Sequence, residues 1–284
     1  PGTFVLPLDL QKLQLSTTAE KGQISSQFEL ISDQIGRLNA NLTLPLTQSN
    51  ETWSIPQNTL LSGNVRIDSK DLSWLDLIID DNIKSSGQLE LRADIAGTLN
   101  KPMLQGNVKG QNLTFSLLDQ GLQLENGNLL ANFNQSSIHI EQLNFSAPFE
   151  TPPKYRLLRK IALEDKPGAL SITGKIELAD SKHKIEVMLD QLPISNPEHY
   201  WLILSGNGNA KIQNDLLKIS GMINADAGLL MKPPDGRPEL ADDIIIGEEP
   251  DVKQQASIMN IDATLDLGEQ FYLRASGLEG QLTG

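Results

Sequence analysis

Three histidines, His139, His183 and His199, are the chain's main candidates for a general base or a metal ligand. None stands in a spacing such as His-Glu-x-x-His, which sets two imidazoles on one helix face. His139 sits between Ile138 and Ile140, so strand alternation turns it to the polar side. His183 leads into another strand, and all three read as surface histidines. The chain has no cysteine, which removes disulfides, zinc fingers, iron–sulfur sites and thiolate nucleophiles together. No Gly-x-Ser-x-Gly elbow is present. Gly206 and Gly208 lack the lysine and the strand–loop–helix setting of a phosphate loop, and a hairpin suits them better. Asp235, Glu239, Asp242, Asp243, Glu248, Glu249 and Asp251 crowd one stretch, but their order does not follow a calcium loop. The expectation is a chain without catalysis, cofactor or bound metal.

Charge narrows the classes further. Acidic residues outnumber basic ones 36 to 23, for a net charge of −13. Nucleic-acid binding needs clustered cations that displace counterions, so nucleic acid is not expected as a partner. One basic cluster exists, at Lys154, Arg156, Arg159 and Lys160, and it is too short for such a footprint. Asn-x-Ser/Thr sequons at Asn41, Asn50, Asn112, Asn134 and Asn144 are read as chance in an Asn-rich chain. No apolar run approaches the roughly 18 residues of a membrane span. The chain opens on Pro1 and closes on Gly284 in mid-pattern. It reads as a fragment whose anchor or targeting segment lies elsewhere.

The elements that would position any site are strands. Apolar residues alternate with polar ones along most of the chain, so each strand presents one apolar and one polar face. Many strands open on a glycine followed by apolar residues two and four positions on, as at Gly36, Leu38 and Ala40, or Gly174, Ile176 and Leu178. Glycine there is expected to serve a turn or bulge. The apolar faces supply a candidate lining: Leu38, Leu42, Val65, Ile67, Leu89, Leu91, Ile95, Leu129, Phe133, Ile138, Ile140, Ile172, Ile176, Ile185, Val187, Leu189, Ile212, Leu217, Ile219, Ile261, Leu265, Leu267, Phe271 and Leu273. Helix signals are few. A stripe of Leu72, Leu75, Ile78 and Ile79 behind the capping residues Asp68 or Ser69 predicts a short helix over 68–80. A second candidate follows Pro152 and Pro153. Three segments result: a strand block over 1–150 containing that helix, a linker or short helix over 151–168, and a second strand block over 169–284 with a mobile acidic loop at 232–251. Pattern alone leaves a closed β-sandwich open beside a long curved meander.

Turn motifs bear on that choice. Gly97, Thr98, Pro102 and Gly106 resemble the turn that recurs in the TamB family of AsmA-like envelope proteins. Asp71, Leu72, Trp74 and Leu75 resemble the short segment that precedes such a strand pair. The order from Gly168 and Gly174 through Leu192, Pro193, Gly206 and Gly221 to Ile244–Ile246 is similar to the region leading into the family's conserved C-terminal domain. The tail from Phe271 through Gly277 and Gly280 to Gly284 looks like that domain's opening. The resemblance implies a mostly-β, antiparallel or mixed meander curved into an open, U-shaped hydrophobic trough. It implies a periplasmic location in a Gram-negative envelope, with the parent anchored in the inner membrane. It implies phospholipid or another acyl-chain guest moving between the two membranes. It also implies TamA, an outer-membrane barrel of the Omp85 type, as partner in a translocation and assembly module. The alternative role is a scaffold that holds outer-membrane protein strands.

Overall fold

The structure, a computed structural model, describes residues 9–49, 52–76, 82–178, 183–196, 198–213, 216–232, 258–275 and 278–284. Strands dominate it. They are β1 (Leu10–Glu20), β2 (Gln23–Ser32), β3 (Gly36–Pro45), the short hairpin β4 (Thr47–Ser49) and β5 (Thr52–Ser54), β6 (Ser62–Ser69), β7 (Ile83–Thr98), β8 (Lys101–Leu117) and β9 (Leu122–Phe133). They continue as β10 (Ser137–Ala147), β11 (Gly168–Glu177), β12 (His183–Asn196), β13 (Tyr200–Gln213), β14 (Leu216–Lys232), β15 (Ile258–Asp266), β16 (Phe271–Ala275) and β17 (Leu278–Leu282). All but β4 and β5 join one 15-stranded sheet. Its neighbours follow chain order, each pair antiparallel, from β1 to β14. β14 then takes β15 and β16 in parallel, end to end along one edge, and β17 folds back on β16. The sheet is curved and open, not closed into a barrel.

The turn at Gly97–Pro102 is the β7–β8 hairpin. Gly97 pairs with Pro102 and Thr98 with Lys101, and the Thr98 hydroxyl accepts from the Lys101 amide at 3.2 Å. Gly97 takes a φ of +88°, a conformation that a side chain would strain.

The two expected helices differ from expectation where the structure describes them. Asp68 and Ser69 end β6 instead of capping a helix, because they are paired with Glu90 and Leu89 of β7. A 3-10 turn at Ser73–Leu75 follows, and residues 77–81 lie outside the described residues. The linker holds a five-residue 3-10 turn, Arg156–Lys160. The acidic stretch expected as a mobile loop lies outside the described residues from 233 onward, while Lys232 closes β14. Two packed clusters, one on each face of the sheet, make up its core.

Candidate functional site

Register turns the alternation into continuous rows. Residues directly opposite on paired strands share a face and sit within side-chain contact. One row crosses the sheet as Leu13, Leu30, Leu38, Ile67, Leu91, Val108, Ala131, Ile140, Gly174, Ile185, Ala210, Ile219 and Ile261. No polar residue interrupts it. At ~4.8 Å per strand the row runs about 58 Å. The next row begins Leu15, Phe28, Ala40, Val65, Ala93, Gly106, Phe133, Ile138 and Ile176. On the other side lie Leu89, Gly110, Leu129, Leu143, Ile172, Val187, Gly208, Gly221 and Ala263.

Register sets the candidate residues that lie in strands on this one face. Leu38, Leu42, Val65, Ile67, Leu89, Leu91, Ile95, Leu129, Phe133, Ile138, Ile140, Ile172, Ile176, Ile185, Val187, Leu189, Ile219 and Leu273 are half-buried. Leu265 is 59% exposed and Phe271 only 4%. Leu267 lies in the turn between β15 and β16. Ile212, Leu217 and Ile261 hold register positions in the rows, and their side chains are outside the described set. The intermediate burial is informative, because a packed sandwich core would bury such residues almost fully.

The turn-or-bulge expectation holds at Gly36, which opens β3 with a φ of +98°, and at Gly87, which sits in a register shift with a φ of +117°, while other glycines belong to the rows. Gly174, Gly208 and Gly221 lie inside β11, β13 and β14. A Cβ at Gly127 would come within 2.3 Å of the Phe145 ring. Gly174 and Gly221 give their space to neighbouring backbone and Gly127 to the Phe145 ring, while a Cβ at Gly208 would meet only ordinary contact.

The sheet curls toward the apolar face, and one rim shows how far. Leu124 of β9 and Leu192 of β12 share a cluster with Ala147, although β10 and β11 intervene. Phe115, Leu122, Phe145, Leu170 and Leu189 pack around it. Contact between strands three positions apart requires a concave apolar face. Above the cluster the β8–β9 turn reaches the β12–β13 end. The Ser195 amide donates to the Gly121 carbonyl at 3.3 Å. Asn196 Nδ2 donates to the Asp119 carbonyl, and Tyr200 Oη to the Gln120 carbonyl, each at 3.2 Å. Glu150, close beside, has its carboxyl pushed up by burial, partly countered by a hydrogen bond from Ser195.

The polar face carries a feature that alternation did not reveal. The extra residues of the bulges beside β13 lie in β12 and β14, so β13 itself alternates without a break and Trp201 and Ile203 fall on the face opposite Ala210. Asp226 is the extra residue of a bulge in β14, which brings Ala227 and Leu229 to that same polar face. There they meet Leu158 of the linker's 3-10 turn, with Tyr155, Leu157, Ile161 and Leu163 around it. Trp201 is 1% exposed and Leu229 0%. Arg274 stacks 4.9 Å from the Tyr155 ring centre. The unbroken apolar run Trp201–Leu204 was the available signal, since a strand covered on both faces loses its alternation. The cluster Lys154, Arg156, Arg159 and Lys160 is exposed along this strap.

The histidines separate. His139 is exposed opposite Asn132 and Lys175, and His199 is exposed in the β12–β13 turn. His183 departs from the surface expectation: it is half-buried on the apolar face opposite Ile176, with Nδ1 buried and without a hydrogen-bond partner. The three stand on different strands and turns, and among the described residues no two are register partners.

A single open sheet crossed by an unbroken apolar row defines a class of mostly-β proteins with one large curved sheet. The family description "TamB, N-terminal domain" matches residues 3–109, and "TamB C-terminal domain" matches 159–284. The chain belongs to the TamB family. The first match covers the opening 60 residues, where the sequence shows only a strand pattern, and the second reaches back into the linker. "Translocation and assembly module subunit TamB" of Haemophilus influenzae is 19% identical over 243 residues, 74% of this chain. The chain spans 18% of that relative's length. No solved structure matches the chain. Among the described residues no helix is long and apolar enough to cross a membrane.

Proposed function

We propose that this chain is a periplasmic segment of an inner-membrane-anchored envelope protein, and that its apolar face carries phospholipid acyl chains between the two membranes. The observation that supports this reading is the apolar row, continuous across the sheet and half-buried over most of its length. A diacyl lipid with roughly 30 methylenes costs on the order of 25 kcal/mol to expose to water, at ~0.8 kcal/mol each. A continuous apolar wall removes most of that cost, and no residue needs to react. The test is native mass spectrometry of the purified chain followed by lipid extraction. Bound diacyl phospholipid is the expected result, and a chain that takes up none from vesicles counts against the reading.

The same reading makes the chain non-catalytic. Replacing His139, His183 and His199 together by Gln should leave lipid binding within about twofold of the parent. A folded triple variant that loses binding would reveal a role for an imidazole, with His183 the first suspect.

One observation favours a second reading. Among the described residues β1 pairs on one side only, and Leu13 and Leu15 on it are 63% and 70% exposed. An open edge of this length can accept a further strand by main-chain pairing. In that reading the chain belongs to a translocation and assembly module with TamA and holds strands of outer-membrane proteins. Photo-crosslinkers at Lys12 and Gln14 distinguish the readings: nascent barrel strands captured at β1 would favour the scaffold.

A further inference from the structure

The polar face holds a row as regular as the apolar ones. Across β11 to β14 its residues are Lys175, Lys184, Lys211 and Lys218, each directly opposite the next. Four lysines thus stand opposite one another on adjacent strands, whose backbones are ~4.8 Å apart. Like charges directly opposite one another destabilise a sheet. In a chain of net charge −13, such an alignment works against both stability and the overall field. Lys175 is paired with Glu177 at 2.9 Å and Lys184 with Glu186 at 2.6 Å. Lys184 and, less strongly, Lys211 hold the Glu186 carboxyl below its ordinary range. Among the described residues no ion pair joins Lys211 or Lys218 to a carboxylate. All four lysines are exposed.

We propose that this face of β11–β14 is a docking surface for an anionic glycan that lies across the strands along the lysine row. Beside the row is an open depression of about 370 Å³ lined by the polar Ser171, Thr173, Asn207 and Asn209 together with Val187, Met188 and Gly208. Its hydroxyls and amides suit the hydroxyl groups of a sugar chain, while the lysines suit its charges. Glu186 also borders the depression, with its charge already met by Lys184. An acidic peptide fits less well. Every strand from β11 to β14 is paired on both sides, so no backbone edge is free for strand addition. A flat anionic bilayer fits less well too, because the sheet curls the other way and leaves this face convex.

The test is calorimetric titration of the intact chain at low salt with dextran sulfate, neutral dextran, polyglutamate and phosphatidylglycerol vesicles. Dextran sulfate should bind, more weakly as salt rises, and neutral dextran should not. The double variant Lys211→Gln, Lys218→Gln should bind it about tenfold more weakly and melt at a higher temperature, since the opposed charges are gone. Lys154→Gln with Arg156→Gln, on the distant strap, should bind like the parent. Equal binding by the Lys211 and Lys218 variant overturns the site. Equal or tighter binding of polyglutamate or vesicles overturns the glycan. The melting shift reports folding independently of either result, and none of these readouts depends on lipid in the apolar face.

Discussion

At the scale of single residues, the shape of the apolar face depends on positions where a side chain is missing. Gly127 faces the Phe145 ring so closely that an added Cβ would lie 2.3 Å from it. Gly127→Ala should destabilise by about 1–3 kcal/mol through overpacking, seen as a lower denaturation midpoint with an unchanged m-value. Gly121 differs in kind. It takes a φ of +62°, and a Cβ there would lie 1.5 Å from the Ser195 carbonyl oxygen, so both strain and contact forbid a side chain at the rim bridge. Neither position is legible in a sequence, because a glycine that makes room and a glycine that turns the chain look alike until the register is known. Charge at the same rim makes a second prediction. Burial pushes the Glu150 carboxyl up. An acid whose pKa is higher in the folded state costs stability once pH exceeds that folded pKa. The cost disappears below the unfolded pKa. Glu150→Gln should therefore raise the melting temperature at pH 7, and the gain should shrink as pH falls through the carboxyl range. A gain that grows toward low pH would contradict the assignment of burial as the cause.

At the scale of elements, alternation identified the strands and the face each presents, because period two is local and survives without knowledge of neighbours. It failed where an element is covered on both sides. Trp201–Leu204 does not alternate, and the structure gives the reason: Leu202 and Leu204 lie on the apolar face while Trp201 and Ile203 lie under the linker strap. The strap itself was legible as a break at Pro152 and Pro153 but not as a packing element, since a five-residue 3-10 turn leaves almost no periodicity to detect. The start of the helix expected over 68–80 differs for a related reason, the residues from 77 to 81 lying outside the described ones. Its capping residues are claimed by cross-strand pairing, which outweighs a local cap. The strap predicts its own disruption. Leu158 is 3% exposed against Trp201, Ile203, Ala227 and Leu229. Leu158→Ala should cost about 2–5 kcal/mol and open the 152–163 segment to limited proteolysis. An unchanged cleavage rate would mean the strap is held by its flanks and not by Leu158.

At the scale of the whole molecule, the question left open by pattern was whether the apolar strands close into a sandwich or stay open. Strand order answers it for the described residues, because consecutive hairpins extend one 15-stranded sheet and the second sheet is only the β4–β5 hairpin. The consequence for substitution is specific. Leu91 and Ile176 are half-buried on the apolar face, while Lys175 is exposed and Glu90 joins Arg66 and Arg92 in ion pairs on the polar side. In a closed core an arginine at either apolar position would be buried without a partner, at a cost of several kcal/mol. On an open face the long side chain can carry its guanidinium along the apolar surface to water. Leu91→Arg and Ile176→Arg should therefore keep a cooperative melting transition, within about 2 kcal/mol of the parent, while phospholipid binding falls at least tenfold. Lys175→Glu should leave that binding unchanged, since it alters only the opposite face. Two folded arginine variants that still bind phospholipid like the parent would remove the apolar row from the lipid path. Two variants that unfold would mean the face is packed in solution. Because Leu91 and Ile176 stand on β7 and β11, in neighbouring rows, a loss in both variants would also require that a guest spans several strands and not one local pocket.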